Sequence, residues 1–436
     1  MAENACGVNR RDFMRGAALS AAAVGGLTIL GARPASGQAG KVLKAGLIGC
    51  GGRGTGAAVN CIQAGKILGV EVQVTALADA MPDRLQGSRN RMKKAGSDVP
   101  DNRCFTGYDA YKKLVDTDVD IVLMATPPNF RPVHFEAAVN AGKHVFMEKP
   151  VAVDPVGCRR IYAAGELATK KKLSVMPGTC LRHHKGYGGT RQLIADGAMG
   201  RVLGGTIYYC TNRLWARPRK AEWNDAEYLV RNWVNFVELS GDHIVEQHVH
   251  TIDMLNWMMG APPVAAVAVG GRARRQTGNQ YDFFSIDFEY PNQVHVHSIS
   301  RQITGCWNRG NGVHLTGDKG WSRGTNGVTQ WDGTKVKLPA LDWQRSMYVQ
   351  EHVVLLDSIL QGKAFNGTQG VADGTLAAIM GRMAAYTGKR VQWNQLADAK
   401  GKSPMGSLAY KPSPADFETG AVKAPADDVI PIPGKA

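Results

Sequence analysis

Between Lys41 and about Met176 short apolar runs alternate with longer stretches of helical period. Runs at 43–48, 70–77, 120–124, 143–147 and 173–176 read as strands. The stretches between and beside them, 55–64, 82–95, 109–115, 130–141 and 156–170, read as helices. Regular alternation of strand and helix predicts a parallel, doubly wound sheet with right-handed crossovers. After Gly200 the rhythm changes. Long alternating runs at 202–211, 264–272, 283–290 and 294–300, parted by Gly, Pro and Asn turns, predict a large, mostly antiparallel open sheet. A helix is expected at about 245–259, and amphipathic helices at 345–361 and 370–386 that pack back on the first domain. The fold class is thus α/β followed by α+β. No internal repeat is visible.

The first apolar run ends in Gly49-Cys50-Gly51-Gly52-Arg53-Gly54 and a helix-compatible segment, Thr55 to Ile62. A buried strand that stops at such a turn and enters a helix is the phosphate cradle of a dinucleotide site, a Rossmann domain. Gly49 permits the tight turn, Gly51 leaves room for the pyrophosphate, and Gly54 lets the helix lie close. The helix N-terminus offers unpaired N–H groups and partial positive charge. An isolated glycine motif is weak evidence. The second run, 70–77, strengthens it by ending at Asp79, about 20 residues on, where a carboxylate binds the adenosine ribose hydroxyls. Its charge repels a 2′-phosphate, so NAD is favoured over NADP, although Arg84 lies nearby. The strand at 120–124 ends at Ala125-Thr126-Pro127-Pro128-Asn129, a loop expected over the dinucleotide.

The N-terminus carries Asn9-Arg10-Arg11-Asp12-Phe13, a twin-arginine motif, then an Ala/Gly-rich apolar stretch from Ala17 to Leu30 and a small-residue segment from Ala32 to Ala39. The stretch is short and weakly apolar for a membrane span, so an export signal is expected, cleaved near Gly37 or Ala39. Stable membrane insertion is not expected afterwards, and the destination is the periplasm or another exported location. A protein that needs a nicotinamide cofactor outside must load it before export, so the cofactor is expected to be tightly held. The resulting layout is a signal at 1–39, a dinucleotide-binding domain at 41–150 with its sheet extending to about 176, an α+β domain at 151–390, and a loosely packed arm at 391–436.

The 436 residues are 44% hydrophobic and 20% charged, with a formal charge of +15. The signal's four Arg and two acids account for two of those charges. The remaining basic residues are scattered, apart from Lys170-Lys171-Lys172. This excludes a nucleic-acid stripe and leaves anionic surfaces or acidic glycans at most. Eight cysteines show no CxxC pair and no regular spacing, so neither a zinc site nor a cysteine nucleophile is supported, although an oxidising compartment permits one or two disulfides.

Two clusters could carry chemistry. Glu148-Lys149-Pro150 closes the fifth strand and delivers Lys149 to the carboxyl end of the sheet, where a lysine can donate to a substrate hydroxyl. The tripeptide alone fits a surface lysine after a strand better. In Gly241 to Asp253, Glu246 and His250 stand four apart and share a face if the segment is helical. A histidine beside a carboxylate is a tunable proton acceptor. A satisfied core histidine, or a metal site from His243, His248 and His250, stays open, and no metal is assigned. Weaker substrate candidates are Arg182, His183 and Tyr187, which follow the fifth crossover, and Trp233. The last belongs to a Trp/Arg-rich segment from Asn212 to Phe236 that suits sugar stacking or a subunit interface.

These residues resemble the glucose–fructose oxidoreductase, inositol dehydrogenase and rhizopine-catabolism family (Gfo/Idh/MocA). The matching pieces are the glycine turn, Ala125 to Asn129 with His134, and Ala141-Gly142-Lys143-His144-Val145-Phe146-Met147-Glu148-Lys149-Pro150. The resemblance implies NAD(P)-dependent chemistry on sugars or cyclitols and an open sheet that forms a homo-oligomer, dimer or tetramer. It implies cofactor contacts from Gly49, Gly51, Arg53, Gly54, Asp79, Arg84, Thr126, Pro127, Asn129, His134, Glu148 and Lys149. The family's proton-transfer lysine, aspartate and histidine fall on Lys149, Glu246 and His250, with glutamate in place of aspartate, which keeps the charge and lengthens the reach. The first expectation is an exported oxidoreductase with His250 as general base. A glycoside hydrolase using the same NAD by oxidation and elimination ranks second, because its histidine-glycine loop is not recognisable here. A non-catalytic sugar-binding protein ranks third.

Overall fold

In the computed structural model, which describes residues 42–307, 310–398, 408–427, 429–430 and 432, two sheets carry the architecture. The first contains β1 (Val42–Ile48), β2 (Glu71–Asp79), β3 (Cys104–Thr106), β4 (Ile121–Met124), β5 (His144–Met147) and β6 (Val175–Pro177). All its pairings are parallel, in the order β3-β2-β1-β4-β5-β6. Helices α1 (Gly52–Leu68), α2 (Pro82–Lys94), α3 (Ala110–Val115), α4 (Arg131–Asn140) and α5 (Pro155–Lys170) make the crossovers. Strand order reverses between β1 and β4, so the connections leave in opposite directions and open a crevice at the carboxyl ends. Every residue of β4 and β6 is buried, as expected of parallel strands covered on both faces, and their apolar runs are therefore continuous. The short edge strand β3 is absent from the sequence reading because three residues carry no period.

The second sheet contains β7 (Val202–Thr211), β8 (Ala265–Gly271), β9 (Phe283–Tyr290), β10 (Val294–Gln302), β11 (Gly310–Gly317), β12 (Gly320–Arg323), β13 (Val328–Gln330) and β14 (Val391–Gln392), in the order β13-β12-β11-β7-β10-β9-β8-β14. Only β7 and β10 pair parallel. In β9 and β10 the period of two sorts the faces: Phe284, Ile286, Phe288, Tyr290 and Val296 are buried, whereas His295 and His297 are exposed. Strands β11 and β12 escape that pattern because Gly310, Gly312, Gly317 and Gly320 interrupt it, and β13 is too short to show a period.

The remaining helices include α6 (Lys185–Ala195), α7 (Asp225–Arg231), α8 (Val249–Met259), α9 (Met347–Leu360), α10 (Thr368–Thr387) and α11 (Pro414–Thr419). Helix α10, buried at most positions, packs on α5, α8 and β8, while α9 packs on α1. The later helices thus lie against both sheets.

The tail corrects the expectation of a loose arm. Helix α11 starts at a capping box between Ser413 and Asp416, and Phe417 is 2% exposed against Met81, Tyr108 and Phe130. Burying that ring contributes about 2 kcal/mol, enough to dock a short segment. The twin-arginine segment lies outside the described residues. No described helix is long and apolar enough to cross a membrane. The seven described cysteines are free, and Cys6 lies outside the described residues.

Candidate active site

The glycine turn after β1 behaves as a cradle. Gly49 has φ +94, and a Cβ there would stand 2.8 Å from the Ala125 carbonyl carbon and the Thr126 nitrogen. A Cβ on Gly54 would fall 1.9 Å from the Gly49 carbonyl oxygen, so only glycine lets α1 start against the turn. A Cβ on Gly51 meets nothing within 4 Å, because that position faces open space. The open space is a cleft of about 330 Å³, lined by Gly49, Gly51, Arg53, Gly54, Asp79, Arg84, Thr126, Pro127 and His134, with Trp215, Val230 and Trp233 across from them. Asp79 accepts the Cys50 N–H at 2.6 Å and the Met81 N–H at 2.7 Å, which ties the end of β2 to the turn. Burial raises its pKa, against those two bonds and the Arg84 charge. His134 meets Thr126 Oγ1 through Nδ1 at 3.2 Å and packs its ring 4.2 Å from that of Tyr111. An open cradle, a helix N-terminus and a carboxylate at the tip of β2 together fit a dinucleotide.

Beyond the cleft, Lys149 leaves β5 through a cis peptide to Pro150. Its Nζ donates to the Glu246 carbonyl at 2.6 Å and lies 3.2 Å from the Glu246 carboxylate. The second carboxylate oxygen accepts from Gln247 Nε2, and Gln247 Oε1 accepts from Tyr209 at 2.8 Å. The Tyr209 ring lies nearly parallel to His250, with centroids 6.3 Å apart. Lys149, His250, Thr179 and Asp253 line one narrow crevice. Burial, with the Lys149 charge beside it, holds the His250 pKa well below the usual imidazole value, so the ring is neutral near pH 7.

The expected pairing of Glu246 with His250 needs correction. Residues Ile244–His248 form a π-helix before α8 begins at Val249. The Glu246 carboxylate in that turn engages Lys149 and Gln247, while the charge felt by His250 is that of Lys149. His243 and His248 belong to a polar layer in the core: His243 meets Asp242, Tyr281 and Ser300, and His248 meets Ser298 and Thr251. No metal-holding group of His, Cys, Asp or Glu occurs among the described residues.

Two family models match this chain: residues 43–179 match "Oxidoreductase family, NAD-binding Rossmann fold", and residues 189–323 match "GFO/IDH/MocA C-terminal domain", together more than half of the sequence. The chain belongs to the Gfo/Idh/MocA oxidoreductase family. The inositol 2-dehydrogenase of Salmonella typhimurium is 30% identical over 162 residues, 37% of this chain and 44% of that protein. The 2,7-anhydro-N-acetylneuraminate hydratase of Escherichia coli is 27% identical over 179 residues, 40% of this chain and 43% of that protein. The chain thus spans less than half the length of these curated relatives. The structure of an aldose-aldose oxidoreductase from Caulobacter crescentus, complexed with glycerol, is similar with a TM-score of 0.64 at 20% identity, covering 81% of this chain and 100% of that one. At that identity the likeness concerns the fold.

Within this Gfo/Idh/MocA chain the remaining candidates separate. Arg53 pairs with Glu148 at 2.8 Å and stands 4.9 Å from the centre of the Tyr348 ring. Asn129 is turned from the cleft and donates to the Pro412 carbonyl at 3.0 Å. Arg182 is engaged by both oxygens of Asp253 at 2.8 Å. His183 is lowered to about 4 by burial and lies beside Trp343. Tyr187 packs in the core of the second domain, and Trp233 lines the dinucleotide cleft. Sequence reasoning missed Arg131, buried on α4, whose guanidinium donates to the Pro150 carbonyl and so fixes the exit from Lys149. It also missed Thr179 and the Tyr209–Gln247 link, which arise from contacts between distant elements and leave no local signal.

Proposed function

We propose that this protein is an exported, NAD-dependent oxidoreductase acting on a secondary hydroxyl of a sugar, glycoside or cyclitol, with the cofactor retained through turnover. The carrying observation is the meeting of Lys149 and a neutral His250 in one crevice near the carboxyl end of the parallel sheet. His250 accepts the hydroxyl proton as the C–H bond breaks. Lys149, anchored on Glu246, donates a hydrogen bond to the same oxygen and stabilises its developing negative charge. When bound, the nicotinamide supplies the hydride acceptor or donor. In the reverse direction the protonated His250 returns its proton to the carbonyl oxygen. The inositol dehydrogenase relative supports a polyol substrate, Asp79 supports NAD over NADP, and the twin-arginine motif supports export to the periplasm. The outer face of the second sheet, with exposed Val267, Val269 and Ile299, supports a homo-oligomer.

The hydratase relative favours a second reading, in which oxidation acidifies the neighbouring C–H, a leaving group departs, and water addition with re-reduction restores the cofactor. The test incubates the NAD-loaded protein with a panel of inositols and aldoses and, separately, with nitrophenyl glycosides. Net NADH formation supports the dehydrogenase. Nitrophenol release without net NADH supports the second reading. Silence in both, with sugar binding retained, overturns both readings in favour of a binding protein.

A further inference from the structure

Residues 212–236 form a cover across the dinucleotide cleft, with Trp215, Val230 and Trp233 opposite the glycine turn. This cover is fastened on two sides. On one, Arg231 of α7 forks onto Asp83 in the first turn of α2, at 2.9 and 3.1 Å, while its Nε holds Glu227 at 2.7 Å. On the other runs the C-terminal strap, 408–427. It is tied first to the parallel-sheet domain: the Pro412 carbonyl accepts from Asn129 at 3.0 Å, and Glu418 accepts from Tyr111 at 3.0 Å. Phe417 then wedges between Tyr108 and Phe130, with centroids 5.2 and 4.9 Å away, and both of those rings line the cleft. Further on, the strap is tied to the cover and the second domain. The Ala424 N–H donates to Asp225 at 2.9 Å, and Asp427 accepts the Gly278 N–H and an Arg272 N–H, each at 2.7 Å.

One strap therefore touches the base, the wall and the cover of the same cavity. We propose that residues 408–427 are a latch: Phe417 must leave its socket before the cover can lift and a dinucleotide can enter or leave. This inference rests on the reading of the cleft as an NAD site. A latch slows entry and exit together, so loosening it raises the exchange rate and leaves the equilibrium affinity nearly unchanged. A segment that merely contributed binding contacts would instead weaken affinity.

The experiment loads full-length protein with NAD, adds excess isotope-labelled NAD, and follows label uptake by mass spectrometry. Equilibrium titration of NAD into stripped protein runs alongside. Phe417→Ala should exchange on the order of tenfold faster or more, with a dissociation constant within about threefold of wild type. Asp83→Asn, which frees the opposite fastening, should act in the same direction. Should Phe417→Ala misfold by circular dichroism, Phe417→Leu and Glu418→Ala take its place. Folded variants that exchange at the wild-type rate, or that lose affinity in proportion, overturn the latch. Rapid exchange in the wild type overturns it as well. No NAD bound by any form overturns the underlying NAD reading instead.

Discussion

The Lys149 ammonium is fixed twice by one residue, 2.6 Å from the Glu246 backbone oxygen and 3.2 Å from its carboxylate. The two side chains are 11% and 9% exposed, so the charges are paired largely out of water. Glu246 lies in the π-turn Ile244–His248 and offers the ammonium a carbonyl as well as a carboxylate. Glu246→Gln keeps the carbonyl contact and leaves the ammonium uncompensated. Turnover should fall about tenfold or more and stability by about 1–3 kcal/mol, with NAD affinity unchanged. Steady-state NADH kinetics, urea unfolding and cofactor titration read the three quantities.

His250 sets a second expectation. Burial, aided by the Lys149 charge, lowers its pKa well below 6.5, so it is an unprotonated acceptor throughout the neutral range. The rate of hydroxyl oxidation should stay level from pH 8 to below the ordinary imidazole pKa of about 6.5, then fall as the ring is protonated. A kcat/KM profile over that range checks it. An acid limb centred at or above 6.5 would remove His250 as the group observed.

Gly51 and Gly54 differ in what a methyl group meets, and alanine substitutions should separate holding the cofactor from holding the fold. Gly51 has φ −69 and open space at its Cβ, so Gly51→Ala should fold normally and bind NAD at least about tenfold more weakly, the methyl group occupying the cradle. Gly54→Ala drives a Cβ to 1.9 Å from a backbone oxygen that cannot yield without moving the turn. It should cost about 1–3 kcal/mol of stability as well as the cofactor. Thermal unfolding with and without NAD distinguishes the two.

The parallel sheet was legible because each βαβ unit is local: an apolar run, a glycine or polar stop and a helical period recur in order from Val42 to Lys170. Lys149 and His250 were legible as residues, since each follows directly from a strand end or a helix. Their actual partners were not. Glu246 pairs with Lys149, 97 residues away, and Arg182 with Asp253, 71 residues away. The arm was misread for the reverse reason. Its composition is that of a linker, but Phe417 finds a socket made by residues 108 and 130, which no local pattern announces.

Asp79 should decide between the two nicotinamide dinucleotides. Its carboxylate, directed by two backbone N–H groups, stands where a 2′-phosphate would bring a second negative charge. The wild type should bind NAD at least about tenfold more tightly than NADP. Asp79→Asn should narrow that ratio and cost about 1–3 kcal/mol, since an amide can accept only one of the two N–H bonds. Paired titrations settle the ratio; equal affinities in the wild type would show that Arg84, not Asp79, governs the site.

Acid should destabilise the folded chain early. Burial holds His134, His248 and His352 at about 3, and His183 and His250 are lowered as well. A folded-state pKa below the unfolded value of about 6.5 means that the unfolded chain takes up the extra protons as pH falls below 6.5. Each of the three fully buried rings then removes about 1.4 kcal/mol of stability per pH unit, until the folded value near 3 is reached. The buried carboxyls work the other way: burial raises Glu351 and brings Asp373 to about 6, so the folded state gains protons there first. Asp79 and Glu238 add smaller contributions of that sign. Five histidines outweigh this opposition between pH 6.5 and 5, so the melting temperature should drop across that interval. His352→Gln should flatten the drop by about one histidine's share, because both ring nitrogens of His352 lack a hydrogen-bond partner and the ring contributes through its burial alone. Calorimetric melts of both forms at pH 7.5, 6.5 and 5 make the comparison; parallel curves for the two proteins would refute it.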